Sequence, residues 1–320
     1  MQLNLPIFDK LADSQNILIA GAGGGFDIFS GLPIYFTLRE MGKTVHLANY
    51  SFTDLRLAAI ASEMETLILD LLAGAKGNVQ HPLQYLPEPY LVQWFKQVRG
   101  EDVTVWMFAN TGGHPLALAY EHLIKRLKID AIILVDGGVD SLMRGDESGS
   151  GTLVEDTLSL SAVRNLDVPV KILACIGFGT EVEEAVCHYN ALENMADLTK
   201  AGAFLGACAL TPQMPAFQQF ESACRYVWDQ PDHHKSHIST RIIPAVRGEF
   251  GNYDMYNLNR GSVFVSPLMG LYWFFDAPTV IKHNLLIDTV AETQTKEDAF
   301  RLCNGFIRRL NLRPRRSIPY

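Results

Sequence analysis

The chain has 320 residues, 48% of them hydrophobic and 19% charged, and a formal net charge of −8 at neutral pH. That composition describes a globular chain able to bury a sizeable core and excludes extended disorder. The acidic balance gives no electrostatic reason to expect nucleic acid or an anionic membrane as partner, since both reward clustered Lys and Arg.

The N-terminal stretch MQLNLPIFDKLADS lacks the charged start and apolar run of a secretory signal, and no apolar run reaches membrane-spanning length, so a cytoplasmic protein is expected. Asn16–Ala20 reads as a strand that enters the turn GAGGGFD at Gly21–Asp27. A helix follows from about Leu32 to Met41, ended by Gly42, and Thr44–Ala48 reads as a second strand with Asn49 at its tip. Apolar periodicity predicts a long helix from Phe52 to about Leu72, then an irregular excursion over His81–Pro89 and a helix around Tyr90–Val98. Strand Val103–Phe108 leads through ANTGGHP, Ala109–Pro115, into a helix Pro115–Leu127, whose first-turn proline lacks only an N–H that the helix does not use. Strand Ala131–Val135 enters the turn DGGVDSLMRGDE, Asp136–Glu147, followed by a helix Leu153–Leu166 and a strand Val170–Cys175. The fourth turn, CIGFGTE at Cys175–Glu181, precedes a predicted long helix Val182–Ala201. Beyond Gly202 the rhythm changes to a helix Met214–Trp228, a polar stretch Asp229–Ser236, a glycine-bearing segment Val246–Tyr253, an apolar stretch Ser262–Phe275 and a last helix Lys296–Leu310.

Strands joined through helices predict an α/β fold: a Rossmann-like, doubly wound, mainly parallel sheet with helices on both faces. Residues 1–205 form the expected core, and residues 206–320 a C-terminal mixed cap packed on it or continuous with it. The five cysteines, Cys175, Cys187, Cys208, Cys224 and Cys303, are widely spaced and read as reduced, buried thiols. Leu268–Phe275, LMGLYWFF, needs burial in the core or on a homo-oligomer surface, being too short to span a bilayer. The terminal Arg308, Arg309, Arg313, Arg315 and Arg316 read either as a solvated face or as an anion contact.

Four apolar strands thus run into polar, glycine-bearing turns, which in such a sheet gather along one edge and form a crevice. Gly23, Gly24 and Gly25 can bring backbone N–H groups to an anion at a helix N-terminus, or simply make a tight turn. Asp27 beside them would repel a phosphate unless a cation lies between; it can equally cap the helix. Asp136 and Asp140, with Asp146 and Glu147 nearby in the same loop, read either as solvated loop carboxylates or, by their oxygen ligands, as a site for a magnesium or manganese ion. Asn110, Thr111 and His114 supply hydrogen-bonding groups from the second turn, and His114 or Asp146 would move a proton. Asn49, Gly137, Gly138, Gly177 and Gly179 complete the expected ligand-binding rim. His233, His234 and His237 read as a hydrated loop or as a metal pair, and Arg144 and Arg247 as carboxylate or phosphate clamps. The dinucleotide fingerprint is incomplete, because its last glycine falls at Phe26 and its acidic residue at Asn49, and no Lys-Ser/Thr pair follows the loop.

The segments ILIAGAGGGFDIFSGLP, VHLANYSFTDL, VDGGVDSLMRGDE and GFGTE resemble an uncharacterised prokaryotic family, domain of unknown function 1152. The resemblance runs through most of the chain. It implies a Rossmann-like fold and marks Gly23–Asp27 and Asp136–Glu147 as signature positions, and it brings no activity.

Together these features predict an enzyme, a hydrolase or group-transfer catalyst, acting on a small polar or anionic metabolite with or without a divalent cation. A non-catalytic nucleotide or metabolite sensor is the alternative. A nicotinamide-dependent oxidoreductase is a further one, carried by the glycine loop alone. The enzyme reading requires that Asp27, His114 and Asp136 meet in one pocket.

Overall fold

The computed structural model describes residues 5–181, 185–231, 233–256 and 264–319. In chain order its helices and strands are α1 (Pro6–Lys10), β1 (Asn16–Gly21), α2 (Asp27–Ser30), α3 (Leu32–Glu40), β2 (Thr44–Tyr50), α4 (Leu55–Ala61), β3 (Glu63–Ile68), β4 (Leu72–Gly77), α5 (Pro87–Trp94) and β5 (Val105–Phe108). There follow α6 (Gly113–Leu127), β6 (Ala131–Asp136), α7 (Leu153–Val163), β7 (Val170–Ile176), α8 (His188–Lys200), β8 (Phe204–Ala209), α9 (Pro215–Trp228) and α10 (Ser239–Arg247). The two-residue strands β9 (Gly251–Asn252) and β10 (Phe264–Val265) pair with each other, and β11 (Leu271–Asp276), α11 (Ala277–His283), α12 (Ile287–Val290) and α13 (Lys296–Ile307) complete the chain.

The main sheet has nine strands in the order β3-β4-β5-β2-β1-β6-β7-β11-β8. Its centre, β5-β2-β1-β6-β7, is parallel throughout. Counting only those strands in sequence, the order is 3-2-1-4-5, the doubly wound arrangement in which the chain reverses direction across the sheet between β1 and β6. The expected α/β fold is therefore present. Alternate residues of β1 serve opposite cores: Ile17 and Ile19 pack with α3, α5, α9 and α10, whereas Leu18 and Ala20 pack with α6, α7, α12 and α13. Burial on both faces explains why β1 and β6 read as continuous apolar runs and not as alternating ones.

The C-terminal part is woven into this sheet. β11 runs antiparallel between β7 and β8, and the boundary expected near residue 205 falls inside β8. The LMGLYWFF segment finds its burial there, with Tyr272, Phe274 and Phe275 in the core.

Two expectations need correction. The long helix predicted over Phe52–Leu72 is α4 followed by the antiparallel hairpin β3-β4, which turns at Asp70 with φ 58°. Short apolar runs fit either period, and here sheet pairing with β5 decides. The helix predicted from Val182 begins only at His188; residues 182–184 lie outside the described residues, and Ala185 has φ 65°, which a helix interior does not accept. Four of the five thiols are buried as expected, but Cys208 on β8 is exposed. Among the described residues no helix is long and apolar enough to cross a membrane.

Candidate functional site

β1 and β6 are neighbours in register, Gly21 opposite Val135, so the turns that follow them open side by side at the point where the sheet order reverses. A cavity of about 570 Å³ lies there. Asp27 enters it from the start of α2, Asp136 from the end of β6, Asp140 from the short 3₁₀ turn Asp140–Leu142, Asp156 from the first turn of α7, and Glu181 from the turn after β7. Rings line the same cavity: Phe52 stacks on Tyr85 at 6.5 Å between centroids, and Tyr85 on His233 at 6.2 Å.

The glycine loop shows why it needs its residues. Gly24 has φ 96°, and a Cβ there would lie 2.5 Å from the Phe52 ring. Its N–H groups, however, serve an anion of their own chain. Gly23 N–H donates to Asp27 Oδ2 at 2.7 Å, and Gly137 N–H from the adjoining turn donates to Asp27 Oδ1 at 3.2 Å. Of the donors that Gly23–Gly25 were expected to offer an external anion, the Gly23 N–H is taken by the carboxylate four residues on.

The other acids are also held by short-range donors. Ser141 donates to Asp136 Oδ2 through both its hydroxyl and its N–H. Asp140 Oδ2 accepts from Thr152 N–H at 2.7 Å and from its hydroxyl at 2.8 Å, and Glu181 Oε2 accepts from Val139 N–H at 2.6 Å. Asp156 differs: it is 1% exposed, and neither of its oxygens has a hydrogen-bond partner among the described residues. Burial, then the charge of Asp140, pushes Asp27 up to about 8. Burial likewise raises Asp136, Asp156 and Glu181 well above the carboxylate range, with Asp140 the next cause for each. Such a cluster cannot carry its full charge without a cation.

Ligand oxygens of Asp27, Asp136 and Asp156 lie within 4.8 Å of one another, and so do those of Asp136, Asp140 and Glu181. All-oxygen sets of this kind suit magnesium, manganese or calcium.

Several expected site residues are elsewhere. His114 lines a separate groove with Glu121 and Lys125, and its Nδ1 is 4.0 Å from Glu292. Its turn is sealed by the C-terminal segment: Thr293 Oγ1 accepts from Gly113 N–H, Thr293 O from His114 N–H, and Gln294 O from the Thr111 hydroxyl. Asn110 accepts from the Tyr50 hydroxyl. Asn49 is fully buried, donating to Gly25 O and Glu88 Oε1 at 2.8 Å each, so it ties the loop and does not line the cavity. Asp146 and Glu147 are bound by Arg313, and Glu147 also by the N–H groups of Arg144 and Gly145 and by Asn194. These two acids hold the C-terminal tail, and Arg313 is spent on them. Arg247 pairs with Glu221, and Arg144 lies 3.9 Å from Asp146, so neither clamps a ligand in the cavity. Gly137 lines the cavity, whereas Gly138, Gly177 and Gly179 shape the turns behind it. A Cβ on Gly138 would meet the Glu181 carboxyl at 2.3 Å.

Sequence reasoning missed Asp156 and did not single out Glu181. Glu155 and Asp156 precede an apolar run and look like acids that favour any helix start. The signal is that α7 is buried at every position, so no face was left for a solvated carboxylate. Glu155 has its own partner in Lys296, at 3.0 Å. His233, His234 and His237 do line the cavity, but as loop residues and not as a pair on a helical face. Cys175, at the strand end, lies 3.2 Å from the Ser141 hydroxyl and is fully buried, which raises its thiol and keeps it unreactive.

No curated protein matches the chain, and no solved structure does. A family model described as "Protein of unknown function (DUF1152)" matches residues 86–308, a stretch that contains Asp136, Asp140, Asp156 and Glu181 and begins after Asp27. With more than half of its length matched, the chain belongs to this family.

Proposed function

We propose that the chain is a divalent-cation-dependent enzyme, a hydrolase or group-transfer catalyst, for a small polar or anionic metabolite. The observation that carries this reading is the convergence of five carboxylates on one cavity, Asp136, Asp140, Asp156 and Glu181 buried and Asp27 half-buried. Magnesium or manganese fits their oxygen donors, and such an ion lowers the pKa of water and draws an anionic substrate group toward an otherwise repelling floor. The Phe52 and Tyr85 rings offer an apolar face to the rest of the molecule.

In a hydrolysis, His234 at the cavity wall takes a proton from water, the role first expected of His114 or Asp146. The water oxygen forms its bond to the acyl or phosphoryl centre. The leaving oxygen departs with the bonding pair and takes up a proton, so water is consumed and nothing is oxidised. A positioned base of this kind contributes about 10²–10⁴-fold.

The test is incubation of the full chain with a pool of polar metabolites, with manganese or with EDTA, followed by mass spectrometry in ¹⁸O-water. Manganese-dependent loss of one metabolite, with ¹⁸O in a product for hydrolysis or a transferred group in a second metabolite, is expected. A compound that raises the melting temperature and is recovered intact under both conditions would overturn the reading in favour of a sensor.

A further inference from the structure

We infer that the cavity holds two divalent cations side by side, sharing the Asp136 carboxylate, with Asp27 and Asp156 completing one site and Asp140 and Glu181 the other. The inference rests on the cation-dependent reading above and adds to it the number of ions and the role of each acid.

The geometry comes first. Two sets of three carboxylates each bring their oxygens within 4.8 Å, and Asp136 is the member common to both. Oxygens on opposite sides of a magnesium ion are separated by about 4.2 Å, so a triad gathered within 4.8 Å is compatible with one ion. Ions paired in this way lie about 3.5–4 Å apart, a distance that one shared carboxylate spans.

Asp156 is an independent observation. It is 1% exposed, lines the cavity, and has neither oxygen partnered among the described residues. A buried carboxylate with no donor has lost its hydration without replacement, and buried charges of this kind are paired or coordinate a metal. Asp140 and Glu181 each take backbone N–H donors on one oxygen, which orients the carboxyl toward its place in the second set.

Charge counting agrees. Five ionised carboxylates carry −5, one divalent cation leaves −3, and two leave −1. Among the described residues no Lys or Arg forms an ion pair with any of the five; Lys296, close by, is committed to Glu155. The doubly loaded floor is the one that repels an anionic substrate least.

The experiment is manganese titration of the EDTA-stripped full chain by calorimetry, with electron paramagnetic resonance at full loading. Two ions per chain and an exchange-coupled spectrum are expected from the native protein. Asp156→Asn and Glu181→Gln should each bind one ion, with the coupling lost, and Asp136→Asn should weaken both sites at least tenfold. One ion per chain, or two without coupling, overturns the paired site and leaves the cation-dependent reading standing. No binding at millimolar manganese overturns both. The native stoichiometry and spectrum decide the matter even if a variant does not fold.

Discussion

The backbone N–H of Gly137 donates to the Oδ1 of Asp27 across 3.2 Å, stitching the turn after β6 to the start of α2. Gly23 N–H holds the other oxygen of the same carboxylate. Asp27 is therefore both the internal anion of the glycine loop and a wall of the acidic cavity. In Asp27→Asn the lost charge-assisted hydrogen bond, worth about 1.5–3 kcal/mol, is offset in part by removing one of the clustered charges. Calorimetry should show manganese affinity reduced at least tenfold, while urea unfolding in EDTA shifts by no more than about 2 kcal/mol. Unchanged affinity would remove Asp27 from the site.

Asp156→Asn should stabilise the metal-free protein. Burial raises the folded pKa of Asp156 above its unfolded value, so its contribution is full below the carboxylate range and is lost as pH rises toward that raised pKa. The neutral amide does not suffer this loss. In EDTA the variant should exceed the wild type by about 1–2 kcal/mol at pH 8 and by less at pH 4, a gain of the kind seen when a functional strain is removed. A destabilised variant at pH 8 would show that the carboxylate has a structural partner.

Gly138→Ala places a methyl group against the Glu181 carboxyl, 2.3 Å from its carbon. The methyl group meets the far end of the flexible Glu181 side chain, so the acid must move while the backbone keeps its course. The expected result is a stability cost of about 1–3 kcal/mol, with manganese stoichiometry reduced while Asp27 and Asp156 keep their ion. Native stoichiometry in this variant would argue that Glu181 is no ligand.

Arg313→Met removes the guanidinium that joins Asp146, Glu147 and Glu193 and leaves the Glu147 side chain, 0% exposed, without its cation. Breaking such a buried pair costs about 3–5 kcal/mol. Urea unfolding should register that loss with manganese binding intact. A variant that folds as stably as the wild type but binds no manganese would return Asp146 and Glu147 to the site. His114→Ala, in its separate groove, should change neither quantity.

His233 is 5% exposed, accepts from Leu86 N–H at Nε2 and donates from Nδ1 to His234 O, so the neutral ring satisfies both partners. Burial lowers it from 6.5 to about 4. The unfolded state then binds the proton first, so this stabilisation is complete above pH 6.5 and is lost as pH falls toward 4. The loss amounts to about 2–3 kcal/mol. It should appear as the difference in pH slope between the wild type and His233→Gln in urea unfolding from pH 7 to pH 4, and equal slopes would contradict it.

Much of the fold was legible in order along the chain. Strands buried on both faces leave continuous apolar runs, and β1, β5 and β6 read so, while β2 and β7 were legible despite His46 and Lys171 within them. The hairpin β3-β4 did not, because a half-exposed edge strand beside a short helix carries no distinct period. Of the candidate site, Asp27, Asp136 and Asp140 were visible as acids directly after strands. Glu181 closed a recognised turn without being chosen, and Asp156 hid in what looks like an ordinary acidic helix start.

What the sequence determined by itself is the rim: local patterning sets which turns follow parallel strands, and a doubly wound order gathers those turns at one edge. What only the tertiary structure decided is which of them face each other. His114 was removed from the cavity by Thr293 and Gln294, Asp146 and Glu147 were taken by Arg313, and Asp156 was brought in from α7, each through contacts more than a hundred residues apart in sequence. Such pairings depend on how helices from the far end of the chain pack over the sheet, and local periodicity carries no information about that packing.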